Sequence, residues 1–153
     1  MSNNPTITVH DVDSTLRSVI KRLIDGQEGF QKTGEALKDE TLKHYFLAES
    51  LKRASFRGEL EEVLHQEGIR DVKEGGTTSG AMHRTWAKLK VDLGGGDHTL
   101  LVTAEQGEDE LKWAYKEALE KELPFPIRQL LTTQFAHIQT THDYVKAARD
   151  RSA

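Results

Sequence analysis

A long connection between two pairs of helical segments constrains this 153-residue chain more than any other feature. The connection runs from Gly68 to Gly96, is bracketed by glycines, and carries a short amphipathic segment over 79–93. On either side, apolar residues recur every three or four positions through two long segments joined by a tight turn. Helices joined by so short a turn must be antiparallel neighbours. The pattern predicts an all-α protein made of two helical hairpins and a crossover.

The crossover is long enough to return along the second helix. That helix should be about 40 Å long at 1.5 Å per residue, and a half-helical connection of this length can span it. The second and third long helices can then run parallel, as in a ferritin-like four-helix bundle. The sequence therefore predicts this fold, with a short helix on the crossover between helices 2 and 3.

Capping signals set the expected helix bounds. Gly68 should stop the second helix, Asp97 should cap the third, and Pro126 suits the first turn of the fourth. Residues 1–7 are predicted to be a disordered lead, and 8–151 a single domain. The four long helices are expected to cover about 8–37, 41–67, 97–122 and 126–151.

Composition narrows the class of protein. A net charge of −4 gives no basic surface for nucleic acid. No apolar run reaches the roughly 20 residues of a membrane span, and the first residues lack the features of a signal peptide. The absence of cysteine suits a reducing compartment. We therefore expect a cytoplasmic protein without nucleic-acid or membrane partners, and leave a homo-oligomer or a protein partner open.

Each long helix places polar groups on or beside its apolar stripe. Counting residues from the turns puts one such group from each helix at about the same depth, with two more about one turn above. This polar layer is the candidate metal site that the sequence predicts. Its six predicted metal ligands are Glu28, Glu49, Glu105, Glu108, His137 and His142.

Such a layer resembles the place where helical bundles build di-iron or di-manganese centres, from two Glu residues and two Glu-x-x-His motifs. The match is incomplete, since Lys52 stands three residues after Glu49 and Gln134 three before His137. Arg53 supports a different interpretation, because a guanidinium could bind Glu49 in a bidentate pair. The sequence favours a buried network of ion pairs over a metal centre. A third hypothesis is a small-molecule pocket beneath the crossover, near Trp86 and Tyr115.

Several motifs resemble those of a known family. They occur in the same order along nearly the whole chain, at 25–30, 53–60, 80–90, 105–109 and His142. On these residues, the chain resembles an uncharacterised bacterial family of ferritin-like four-helix-bundle proteins. The resemblance implies the fold and a bacterial origin. It implies no catalytic residues, because that family has no settled activity.

The sequence therefore favours a non-enzymatic bundle with a structural, interaction or stress-related role. The stress-related role comes from fold analogy alone. The alternative is a di-iron or di-manganese carboxylate protein that acts in metal handling or oxidation.

Overall fold

The computed structural model describes residues 9–69 and 74–153, which form α-helices and no strand. The all-α prediction is confirmed, while the predicted disordered lead, 1–7, lies outside the described residues. The five helices of this part of the chain are α1 (Val9–Ala36), α2 (Glu40–Gln66), α3 (Gly80–Asp92), α4 (Asp97–Leu119) and α5 (Phe125–Arg151).

The helices pack as two hairpins with α3 laid across them. α1 packs closely on α2, α4 on α5, and α1 also on α4. α3, the short helix of the crossover, rests on α4 and α1. On the remaining side α2 and α5 meet through long side chains, where the rings of Tyr45 and Tyr144 stack 3.7 Å apart.

Two apolar clusters form the core, and charged residues lie between them along the helices. One cluster includes Leu23, Phe56 and Leu111, and the other is built around Phe30 and Phe46. On α2 the residues between the clusters include Glu49 and Arg53, and on α4 they include Glu105 and Glu108. The fold therefore holds a buried polar layer between two apolar blocks.

Local signals explain both ends of α2. Asp39 caps α2 by accepting a hydrogen bond from the backbone N–H of Leu42, at 2.9 Å. Gly68 adopts a φ of +85°, which favours glycine and ends α2 as predicted.

Asp97 does not cap its own helix, contrary to the prediction. Gly96 is the N-cap residue of α4, and the Asp97 carboxylate instead accepts hydrogen bonds from the backbone N–H groups of Lys38 and Asp39, at 2.8 and 3.0 Å. The carboxylate thus binds the start of α4 to the α1–α2 turn. α2 and α4 therefore begin at the same end of the molecule.

Trp86 fixes α3 against the long helices. Its indole lies in a notch between Gly29 of α1 and Gly107 of α4, where a Cβ atom on either glycine would come within 3.0 Å of the ring. The ring also packs near Phe30, with centroids 6.2 Å apart. These two glycines are therefore required for the close approach of the crossover to the core.

No helix in the described ranges is long and apolar enough to cross a membrane.

We expect Gly29→Ala and Gly107→Ala each to lower the free energy of unfolding by about 1–3 kcal/mol, because the added methyl overlaps the Trp86 ring. Gly58→Ala is the matched control, since a Cβ there has no atom within 4 Å and the position lies inside α2. That variant should be more stable than the wild type by about 0.5–1 kcal/mol. Chemical denaturation measures the stability of all three variants. A loss of stability in Gly58→Ala equal to that in Gly29→Ala would contradict the close packing of Trp86 on Gly29.

Candidate functional site

A bidentate ion pair between Arg53 and Glu108 occupies the centre of the polar layer. Arg53 Nη1 donates to Glu108 Oε1 at 2.6 Å, and Nη2 donates to Oε2 at 2.7 Å. Both side chains are fully buried, and the guanidinium also stands 4.8 Å from the centroid of the Phe30 ring. Parallel hydrogen bonds of this kind use both carboxylate oxygens at once.

Glu49 extends the pair towards α5. Its carboxylate lies 2.8 and 3.1 Å from Nε2 of His137 and 3.5 Å from Nη2 of Arg53. The sequence prediction of a bidentate Arg53–Glu49 pair is wrong, because the fork of the guanidinium points across the core to Glu108. Burial lowers the pKa of Arg53, but the charge and hydrogen bonds of Glu108 more than offset this and leave the pKa above its ordinary value.

A neutral hydrogen-bonded pair lies next to this network. The Tyr115 hydroxyl donates to Oε1 of Gln134 at 2.7 Å, and Gln134 Nε2 donates to the backbone oxygen of Phe56 at 3.3 Å. The sequence singled out Gln134 as standing where a metal site would have glutamate. Here the amide satisfies two buried groups, which a carboxylate could not do because it has no N–H.

The other predicted ligands on α4 and α5 form a separate cluster nearer the surface. Nε2 of His142 lies 2.7 Å from Asp109 and 3.9 Å from Glu105, and its Nδ1 lies 3.2 Å from Asp143. Arg149 donates to the second oxygen of Glu105. Asp109 was missed by the sequence reasoning because it follows the buried Glu108 and so falls off the inward stripe. Its position four residues after Glu105 was the available signal.

Glu28 does not join either group. Its side chain is 60% exposed and is paired with Lys32 on the same helix, at 2.8 Å. Six predicted ligands thus divide into a central set (Glu49, Glu108 and His137), a lateral pair (Glu105 and His142) and one surface residue.

A cavity of about 610 Å³ lies beneath the crossover, lined in part by Glu28, Gly29, Thr77, His83 and Trp86. The hypothesis of a pocket near Trp86 and Tyr115 fits only in part, because Trp86 lines this cavity whereas Tyr115 is fully buried and does not.

Asp25 also lines this cavity. Its carboxylate accepts hydrogen bonds from the hydroxyl and the backbone N–H of Thr77, the latter at 3.2 Å. Burial raises the pKa of Asp25, and the bonds from Thr77 oppose this shift. The contact attaches the crossover to α1.

The central residues do not fit a dinuclear metal centre of the kind expected for a ferritin-like bundle. Arg53 already binds both oxygens of Glu108, and Glu49 is shared between Arg53 and His137. A buried guanidinium at hydrogen-bond distance from these carboxylates places a positive charge where dications would have to enter. The residues at the centre are arranged as an ion-pair network.

We expect Glu108→Gln to lower the free energy of unfolding by about 3–5 kcal/mol, since it leaves the buried Arg53 guanidinium without its main counter-charge. Glu28→Gln is the matched control, because it removes another candidate ligand from an exposed i,i+4 pair and should change stability by less than about 0.5 kcal/mol. Thermal and denaturant unfolding measure both. Equal effects in the two variants would contradict the central position of Glu108.

The buried hydroxyl of Tyr115 should make the protein less stable at alkaline pH. Burial raises its pKa above that of tyrosine in an unfolded chain, about 10. The folded state then keeps a proton that the unfolded state releases. The contribution of protonated Tyr115 to the free energy of unfolding is fully present below about pH 10. Above that pH it falls by about 1.4 kcal/mol per pH unit. Between about pH 10 and 11 the free energy of unfolding of the wild type should fall faster than that of Tyr115→Phe. Parallel declines in denaturant unfolding of the two proteins would contradict the raised pKa of Tyr115.

The chain matches a known protein family over most of its length. Residues 11–121, more than half of the chain, match the family described as a domain of unknown function, DUF2383. No curated protein matches the chain. The matched region includes the central Arg53–Glu108 pair and Glu105, and it ends before α5, which supplies His137 and His142. The chain therefore belongs to the DUF2383 family, which supports the uncharacterised family expected from its motifs.

Proposed function

We propose that this protein is a single-domain, ferritin-like four-helix bundle with a non-enzymatic structural or interaction role. In this proposal α1, α2, α4 and α5 form the bundle and α3 lies on the crossover. The packing of α1 on α2 and of α4 on α5 supports it, as does the common end at which α2 and α4 begin.

The bidentate Arg53–Glu108 pair carries the proposal. In bundles of this type the polar centre commonly holds two metal ions between carboxylates. Here the guanidinium of Arg53 supplies the positive charge at this centre. It binds both carboxylate oxygens of Glu108 and contacts Glu49. The charges of the polar layer are thus paired on folding, because both terminal nitrogens of Arg53 bind carboxylates of the same layer.

Large apolar side chains on the surface support an interaction role. Leu51 and Phe125 are mostly exposed, and Trp113 stands beside Arg22 and Met82 at the edge of a surface cavity of about 600 Å³. Exposed tryptophan with a neighbouring arginine is a composition that protein interfaces favour. A stress-related role would follow from fold analogy alone.

A di-iron or di-manganese protein that acts in metal handling or oxidation is the alternative. It would require Arg53 to release Glu108 and Glu28 to turn inward from the surface. The bacterial origin and the cytoplasmic location remain predictions from the sequence.

Metal analysis distinguishes the two functions. Protein purified without a tag or chelator should hold fewer than two iron or manganese ions per chain after anaerobic loading with ferrous iron or manganese, and Glu108→Gln should not change that content. The stability lost in Glu108→Gln should also be the same with and without added metal, because the lost interaction is with Arg53. Two ions per chain that Glu108→Gln removes would overturn the proposed role and favour the metalloprotein.

A further inference from the structure

We propose that Glu105, Asp109 and His142 form a binding site for one divalent transition-metal ion between α4 and α5. The carboxylates stand one turn apart on α4, so they project from the same face, and His142 meets them from α5. One ligand atom from each residue lies within 4.8 Å of the other two. No other trio of His, Asp or Glu side chains converges this closely in the part of the chain that the structure describes.

The ring of His142 is oriented for metal binding. Its Nδ1 lies 3.2 Å from the carboxylate of Asp143, which can accept a hydrogen bond from Nδ1–H. Nε2 then presents its lone pair towards Asp109 Oδ1 at 2.7 Å and Glu105 Oε1 at 3.9 Å. Metal-bound histidines commonly donate their other N–H to a carboxylate in this way. With Nε2 unprotonated, the imidazole nitrogen and the two carboxylates are three acceptors that face one another, and a cation between them would offset their repulsion.

Charge and the second oxygen of Glu105 support a dication. Arg149 donates to Oε2 of Glu105 and is shared with Asp150, so Oε1 remains directed at His142. The carboxylates of Glu105, Asp109 and Asp143 outnumber this one guanidinium. The cluster keeps an excess of negative charge, which a divalent cation would neutralise.

The spacing needs little adjustment. Two ligands of a tetrahedral zinc ion at about 2.1 Å lie about 3.4 Å apart. Asp109, now 2.7 Å from His142, would move outward and Glu105, now 3.9 Å away, would move inward, each by less than about 1 Å. Asp109 is 58% exposed, which gives it room to move and gives an ion a path from solvent. Water can complete the coordination.

The ligand set selects the class of ion. One imidazole nitrogen with two carboxylate oxygens suits zinc, manganese, iron or cobalt, whereas calcium and magnesium prefer oxygen ligands alone. The site is also separate from the central layer, where Arg53 binds Glu108. It therefore goes beyond the structural role proposed above and does not require a dinuclear centre.

The test is calorimetric titration with Zn²⁺, together with the visible absorption spectrum of Co²⁺-loaded protein. We expect one ion per chain, and a dissociation constant raised more than about 10-fold in His142→Ala and in Asp109→Asn. Asp143→Ala, which alters a positioning residue, should raise it by about 10-fold without changing the number of ions.

His65→Ala is the matched control. His65 stands 3.9 Å from Glu62 in an exposed pair on α2, so it is a histidine–carboxylate neighbour outside the proposed site. The control should bind Zn²⁺ as the wild type does. Circular dichroism establishes that the variants are folded, and the exposed position of Asp109 makes Asp109→Asn informative even if His142→Ala unfolds.

Three results would overturn the site: no Zn²⁺ binding by the wild type, wild-type affinity in Asp109→Asn, or equal loss in His65→Ala and His142→Ala. Glu108→Gln keeps this test separate from the test of the proposed function. It should bind Zn²⁺ normally, and loss of the ion in that variant would instead place the metal at the central layer.

Discussion

The ion pair between Arg53 and Glu108 is the interaction on which the centre of this protein depends. Each partner is fully buried, and a buried charge without its partner costs several kcal/mol. The pair joins α2 to α4, which are not among the closely packed helix pairs of the described residues. A long, planar guanidinium is suited to this distance, because it crosses the core and still meets a carboxylate with two parallel bonds.

We expect the polar layer to give the fold specificity more than net stability. Desolvating two charges offsets much of their attraction, so well-packed apolar residues could stabilise the same space equally well. A shift of α2 by one residue, however, would turn Arg53 away from Glu108 and leave both charges buried and unpaired. The polar layer thus raises the free energy of arrangements in which the helices are shifted relative to one another. The Tyr115–Gln134 pair adds a second directional constraint between α4 and α5.

The crossover is held by three different kinds of contact. Trp86 fills the notch between two glycines, Thr77 donates to the half-buried Asp25, and Asp97 binds the backbone of the α1–α2 turn. Together they attach the segment before α3, α3 itself and the start of α4 to α1 and its turn. The lateral cluster around His142 lies between α4 and α5.

The sequence by itself determined the helices, their inward stripes and the end of α2 at Gly68. These features follow from helical periodicity and from local backbone preferences, which act over a few residues. It also predicted that Glu49, Arg53 and Glu108 lie in the core, since each falls on an apolar stripe. Counting from the turns gave the depth of each residue along its helix.

Only the tertiary structure decided which groups meet. Depth along a helix does not fix the direction of a side chain, because each residue turns the helix by about 100°. Glu28 therefore reaches the right level but faces solvent, and Arg53 forms its bidentate pair with Glu108 across the core and not with Glu49 on its own helix. The meeting of Asp109 with His142, and of Trp86 with Gly107, depends on how α3, α4 and α5 are placed in space. That placement is set by long-range packing, which no local pattern in the sequence encodes.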